Sequence, residues 1–144
     1  MWFNPLIIFL LKSPLHPILS NDTMLVSYTS TKSGKRFSLP VNFARRDDQL
    51  YSTSFQQRTW WRRFRTEAPA ELLVAGEKLQ AVGRAYPSSP ASVEKLAELV
   101  RINPVYAKYL KIQLDPDGNP DKDDVFLAAE GRVVIQFQIL QNNV

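Results

Sequence analysis

Lys32, Ser33, Gly34, Lys35 and Arg36 stand together in a stretch with the composition of a tight turn. Glycine permits a positive φ and lets backbone approach a ligand closely. Two ammonium groups, a guanidinium and a hydroxyl around an exposed turn can hold a phosphate through charge-assisted hydrogen bonds. The glycine spacing is not that of a nucleotide P-loop, and no helical pattern follows. A solvated basic turn and an anion site both fit these residues.

A second concentration lies at residues 58–65, where Arg58, Arg62, Arg63 and Arg65 interleave with Trp60, Trp61 and Phe64. Basic and aromatic side chains side by side bind single-stranded nucleic acid. On a helical wheel, however, Trp60, Trp61 and Phe64 share one face, and Arg58, Arg62 and Arg65 take the other. The aromatics then serve as core or as walls of a ligand pocket. Asp115, Asp117 and Asp121 around Gly118 invite a calcium reading. An EF-hand loop places glycine sixth and glutamate twelfth, whereas here glycine is fourth from Asp115 and Phe126 is twelfth. That segment reads as a solvated loop. His16, between Pro14 and Pro17 in an apolar stretch, reads as structural.

The composition narrows the chemistry further. The 144 residues contain no cysteine and one histidine. Disulfides, thiolate metal sites, cysteine nucleophiles and multi-histidine metal sites are excluded. Demanding chemistry on this chain would come from a bound cofactor. The net charge of +4 is uneven. Residues 1–72 carry 10 basic and 5 acidic side chains, and residues 73–144 carry 8 and 9. The first half should therefore face an anion: a phosphate, a nucleic acid or an anionic membrane surface.

The elements that must position these groups can be read from hydrophobic period. Residues 6–11 are an apolar run, too short to span a bilayer, which needs about 20 residues. No basic residue precedes the run and no small-residue cleavage site follows, so no signal peptide is expected. Phe3, Leu6, Ile7, Leu10 and Leu11 recur at helical spacing. Residues 1–20 thus form a helical segment: a helix packed on the domain or lying over a pocket mouth, an oligomer contact, or a peripheral membrane anchor.

From there the pattern is mostly β. Residues 24–31 read as a strand, and 32–35 as a turn. Phe37, Leu39, Val41 and Phe43 alternate with Arg36, Ser38, Pro40 and Asn42, so the first set should face a barrel interior. Pro40 cannot donate to a ladder, which marks a sheet edge or a bulge. Residues 45–48 read as a turn, 50–54 as a strand and 59–65 as a helix. A hairpin is expected from 71–75 and 78–86 across Gly76 and Glu77. A helix follows Ser89 and Pro90, burying Val93, Leu96, Ala97 and Val100. Further helical turns are expected at 105–112 and 124–130. Val133, Ile135, Phe137 and Ile139 mark a last strand. The expectation is one mainly β domain over residues 1–144: a six-stranded antiparallel barrel at 23–144 with inserted and N-terminal helices.

In this order the segments resemble the deazaflavin-dependent nitroreductase-like proteins of the flavin-binding split-barrel superfamily, which includes pyridoxamine phosphate oxidase. The family has a Gly-Arg-Lys-Ser/Thr-Gly turn before a strand carrying Pro-Leu or Pro-Val. Here Ser30-Thr31-Lys32-Ser33-Gly34 runs on to Pro40-Val41. Trp60-Trp61-Arg62-Arg63-Phe64 is similar to the family's Trp-aromatic-x-Asn-Leu segment, and Pro104-Val105-Tyr106-Ala107-Lys108-Tyr109 to its Pro-x-Tyr-x-x-Tyr stretch. Asn4-Pro5 and residues 12–16 resemble a subgroup. Departures are Ser30 for glycine, Thr31 for arginine, Arg63 for asparagine, and residues 55–58 in place of a Lys-Gly-Gly loop.

The resemblance implies a six-stranded split barrel that binds flavin mononucleotide (FMN) or an 8-hydroxy-5-deazaflavin coenzyme. It implies a reductase passing a hydride to a quinone, nitro compound or similar small acceptor. Lys32, Ser33, Gly34, Lys35 and Arg36 would hold phosphate. Pro40, Val41 and Asn42 would flank the ring, Trp60 and Trp61 would wall the pocket, and Tyr106 and Tyr109 would face the substrate. It also implies a cytoplasmic protein, a possible homodimer, peripheral at most to a membrane, with no nucleic-acid partner expected. A non-catalytic cofactor, haem or lipid carrier on the same barrel is the second reading, and a basic nucleic-acid-binding module the third.

Overall fold

Alternation at residues 23–42 folds back on itself as a hairpin in the computed structural model, which describes residues 23–87 and 90–140. The expected N-terminal helical segment, with its lid, oligomer-contact and membrane readings, lies outside the described residues, as does His16. Strands β1 (Thr23–Thr29) and β2 (Arg36–Asn42) pair antiparallel, from Thr23 opposite Asn42 to Thr29 opposite Arg36. The connecting turn is exposed. Gly34 sits at φ 69°, and its N–H donates to the Ser30 carbonyl at 2.9 Å. Leu39 and Phe43 are buried in the barrel core, with Phe37 and Val41 packed against it, as the alternation requires.

Seven strands, not six, form one antiparallel sheet in the order β2-β1-β5-β6-β7-β4-β3. The others are β3 (Ala44–Arg46), β4 (Gln49–Phe55), β5 (Ala68–Val74), β6 (Glu77–Pro87) and β7 (Arg132–Ile139). The extra strand is β3, where Arg45 and Arg46 suggested a turn. It is short and lies at the sheet edge, paired with β4, and Arg46 reaches Glu98 at 3.5 Å. Charged residues are common on edge strands. The turn itself falls at Asp47 and Asp48, with Asp47 at φ 54°. β5 begins at Ala68, ahead of the expected start, because Ala68 and Ala70 face inward in step with Leu72 and Val74. The β5–β6 turn is Ala75-Gly76, both at positive φ, one residue earlier than expected and as a two-residue hairpin requires.

β2 and β3 are the two edges of the sheet, yet only Phe43 separates them in the chain. The sheet must therefore curl until its edges approach. Because β3 covers β4 only at residues 49–51, the rest of β4 faces β2 across a split. The Ser52 hydroxyl donates to the Asn42 carbonyl across it at 2.6 Å.

Two cores result. The barrel interior holds Met24, Val26, Leu50, Leu72, Ile135 and Phe137 among others. Residues Trp60–Phe64 form a 3-10 turn, tighter than the expected helix, that drives Trp60, Trp61 and Phe64 into this interior. Phe64 meets Phe137 edge-on at 5.4 Å and Tyr28 at 5.7 Å. The second core lies outside the sheet, where α1 (Pro90–Ile102), α2 (Val105–Leu110) and α3 (Lys122–Ala129) pack on Ala44, Tyr51 and Val134. On α1 the buried stripe is Leu96, Leu99 and Val100, with Val93 and Ala97 partly buried. Asp121 caps α3, its carboxylate accepting the Asp124 N–H at 3.0 Å. No helix among the described residues is long and apolar enough to cross a membrane.

Candidate functional site

Two clefts flank the Thr59-Trp60 segment. The first, of about 420 Å³, lies at the split. It is lined by Pro40, Val41 and Asn42 on β2, by Thr53, Ser54 and Phe55 on β4, and by Arg58, Trp60 and Arg132. The Asn42 carbonyl points across the split to Ser52, away from β1. Backbone direction alternates along a strand, so the Pro40 carbonyl turns the same way. Pro40 carries no N–H, which suits the open edge. The cleft thus offers backbone acceptors on one wall, hydroxyls on the other, and the Trp60 indole beneath.

The second cleft, of about 410 Å³, is lined by Tyr28, Ser30, Thr31, Lys32, Phe37, Thr59, Arg62 and Arg63. Three cations and three hydroxyls other than the tyrosine's converge on it, and its lining contains no carboxylate. Arg63 is fixed in place, its Nε donating to the Thr29 carbonyl at 3.0 Å. Tyr28 and Phe37 stack at 5.8 Å on its floor. Burial pushes the Tyr28 phenol above its ordinary range, so it stays neutral beside any bound anion. Tyr51, on the outer face of β4, is likewise raised, chiefly by burial and then by the nearby Glu98 charge. Absorbance titration near 295 nm should show a late class of tyrosines ionising above the ordinary range. Their raised folded pKa favours the native state below the unfolded tyrosine pKa of about 10, and that contribution is lost as pH rises above it. One ordinary titration for all the tyrosines would contradict this.

The structure distributes the residues singled out in the sequence. Pro40, Val41, Asn42 and Trp60 meet in the split cleft, and Lys32 lines the basic cleft. Ser33, Gly34, Lys35 and Arg36 line neither. The Ser33 hydroxyl accepts the Lys35 N–H at 3.3 Å, and Arg36 pairs with Glu71 on β5 at 3.0 Å. Trp61 is buried, its indole N–H without a partner, with Arg65 at 5.2 Å and Arg62 at 6.0 Å from its ring. Tyr106 packs in the outer, helical core and donates to the Phe43 carbonyl at 3.0 Å, while Tyr109 is exposed. Neither tyrosine lines these two clefts.

Several lining residues were not singled out as ligands. Arg58 and Arg62 fall on the helical-wheel face opposite the aromatics, whereas Arg63 does not. Arg132 carried no local signal. It reaches the split because the β4–β7 register sets it opposite Phe55, and the Gln56 N–H bonds to the Gly131 carbonyl at 3.0 Å. Among the described residues no cluster could hold a metal ion. The Asp115 loop is an internally bonded turn: one Asp115 carboxylate oxygen accepts the Asp117 and Asn119 N–H groups at 2.9 and 2.8 Å. Those bonds, led by Asn119, hold the Asp115 pKa below its ordinary value.

No known family's sequence profile matches the chain, and no curated protein does. Solved structures do. One from Listeria innocua, described as a candidate pyridoxamine 5′-phosphate oxidase, is 13% identical over 88% of this chain and 90% of its own, with a TM-score of 0.53. A FAD- and haem-binding protein of Mycobacterium smegmatis is 13% identical, covering 92% of this chain and 69% of that one, with a TM-score of 0.54. A structure described as a domain-swapped dimer is 15% identical over 84% of this chain and 83% of its own, also at 0.54. With its curled antiparallel sheet, its split between β2 and β4 and these structural likenesses, the chain has the split-barrel fold of the pyridoxamine 5′-phosphate oxidase-like proteins.

Proposed function

We propose that this chain binds a flavin-type cofactor across the two clefts and works as an oxidoreductase on a small acceptor. The observation that carries the reading is the adjacency of a basic, carboxylate-free cleft and an aromatic-walled cleft with an open strand edge, on either side of Thr59-Trp60. A flavin has a planar ring with polar edges and a phosphorylated tail. The donor set fits it: Lys32, Arg62 and Arg63 with nearby hydroxyls for the phosphate, and the Pro40–Asn42 edge with Trp60 for the ring. When bound, such a group supplies hydride transfer, which none of the side chains here can perform alone. The chain's own residues fix the tail, present backbone acceptors to the ring edge, and exclude water from one ring face with Trp60.

One structural likeness, to a protein that binds FAD, supports a flavin, and another, to a candidate pyridoxamine 5′-phosphate oxidase, supports an oxidoreductase. FMN and the deazaflavin coenzyme both present a phosphate to the same cations, so both belong to the proposal. A homodimer is part of it too, supported by the domain-swapped neighbour. A nucleic-acid role finds little support, since Trp61 is buried and lines neither cleft, and Trp60 lines the split cleft alone, so successive bases would find no run of stacking platforms. The test is a visible spectrum of the purified protein before and after adding FMN or the deazaflavin. Retention of one through gel filtration, with bleaching and recovery on cycling with an electron acceptor, is expected. Retention without turnover would leave a carrier, and retention of neither would end the reading.

A further inference from the structure

The split cleft holds more positive charge than a flavin ring needs. Arg58 and Arg132 both line it, and its lining contains no carboxylate. Among the described residues the ion pairs are Arg36 with Glu71 and Arg46 with Glu98, so neither cleft arginine is neutralised by a neighbour. Arg132 is nonetheless held. Its Nη1 donates to the Ala128 carbonyl at 2.9 Å, and its guanidinium lies 5.2 Å over the Phe55 ring. That stack leaves the rest of the planar fork free to take a two-oxygen anion. Phe55, 44% exposed, gives the same spot a flat apolar surface, continued by Pro40 and Trp60.

We propose that the split cleft binds a planar ligand bearing a carboxylate, with Arg132 as the fixed fork and Arg58 as the second cation. This extends the cofactor reading by giving the acceptor its chemical class, an aromatic or conjugated acid, and that assignment rests on the reading; the anion site itself does not. The positive half of the chain favours encounter with such a ligand. A pre-positioned guanidinium binds without first having to be ordered, which favours affinity.

The same two arginines could instead meet a phosphate of the cofactor, and the experiment separates these sources. Benzoate and its uncharged analogue benzamide are titrated into the full chain, with and without FMN. Binding is read by tryptophan fluorescence, since Trp60 lines the cleft, and by calorimetry. Benzoate is expected to bind at least tenfold more tightly than benzamide. R58Q and R132Q should each weaken benzoate tenfold or more and FMN less than threefold. Arg132 also bonds to the end of α3, so a thermal melt accompanies R132Q; Arg58 has no such bond, and R58Q keeps the test sharp if R132Q fails to fold. Equal affinity for benzoate and benzamide, or no binding of either, overturns the proposal. So does a tenfold loss of FMN affinity in R58Q, which would give these cations to the cofactor's phosphate. Benzoate binding in a protein that takes neither FMN nor the deazaflavin supports the anion site while ending the cofactor reading.

Discussion

Replacing Lys32 and Arg62 together with alanine is expected to weaken FMN binding by tenfold to a hundredfold. Both line the basic cleft, together with the stacked Tyr28 and Phe37. A hydrogen bond to a charged group is worth about 1.5–3 kcal/mol. Both side chains are exposed, so the low end applies, and solvent screening trims it further. Riboflavin, which lacks the phosphate, should bind the double variant and the parent alike. Lys35 provides the internal contrast. It carries the same charge a few residues away but does not line the cleft, so Lys35→Ala should change FMN affinity less than twofold. Added salt should weaken FMN more than riboflavin, because the interaction is partly exposed. A parallel loss of riboflavin in the double variant would mean that the cleft had collapsed. An equal loss in Lys35→Ala would return the phosphate to the turn as a whole.

The contrast between Lys32 and Lys35 also shows where sequence reading stops. The hairpin of β1 and β2 was legible because strict alternation at residues 36–43 allows one register with apolar groups inside. The turn was legible because Gly34 and its neighbours permit little else. Which cations of the turn face a cleft was not legible. That depends on Arg36 finding Glu71 on β5, thirty-five positions along the chain, and on the fold bringing Thr59, Arg62 and Arg63 to the cleft that Lys32 lines. The same holds for Arg132, which a long-range register brings to the split. Tyr106 marks the opposite limit. A local motif suggested a ligand-facing phenol, but the helices pack on the outer face of the sheet, and its hydroxyl joins α2 to the β2–β3 junction. The extra strand β3 escaped notice because edge pairing needs no hydrophobic alternation, only an open neighbour.

The aromatic turn that separates the two clefts depends on a packing arrangement that mutation can test on both sides. Phe64 is fully buried, and the ring leans on β6 at Gly83. A Cβ built at Gly83 would lie 2.7 Å from the Phe64 Cδ1 and 2.8 Å from the Phe137 Cε1, well inside van der Waals contact. Gly83 therefore exists to admit the two rings. Phe64→Ala should cost about 3–5 kcal/mol, as loss of a buried ring leaves a cavity. For a chain of this size, each kcal/mol is worth roughly 2–4 °C of melting temperature. Gly83→Ala should cost about 1–3 kcal/mol by overpacking. The two changes share one space, so their effects should not add. In Phe64→Leu/Gly83→Ala the smaller, flexible side chain can retreat from the new methyl, and the double variant should be more stable than the sum of its single variants predicts. Compensation should be partial, because Phe137 still crowds the methyl. Urea or thermal unfolding of the four proteins in the cycle measures the coupling. Strict additivity would mean that Phe64 and Gly83 do not meet, and the 3-10 turn would then lose its anchor in the barrel. If they do meet, Phe64→Ala should also loosen Trp60, and cofactor affinity should fall beyond what unfolding alone explains.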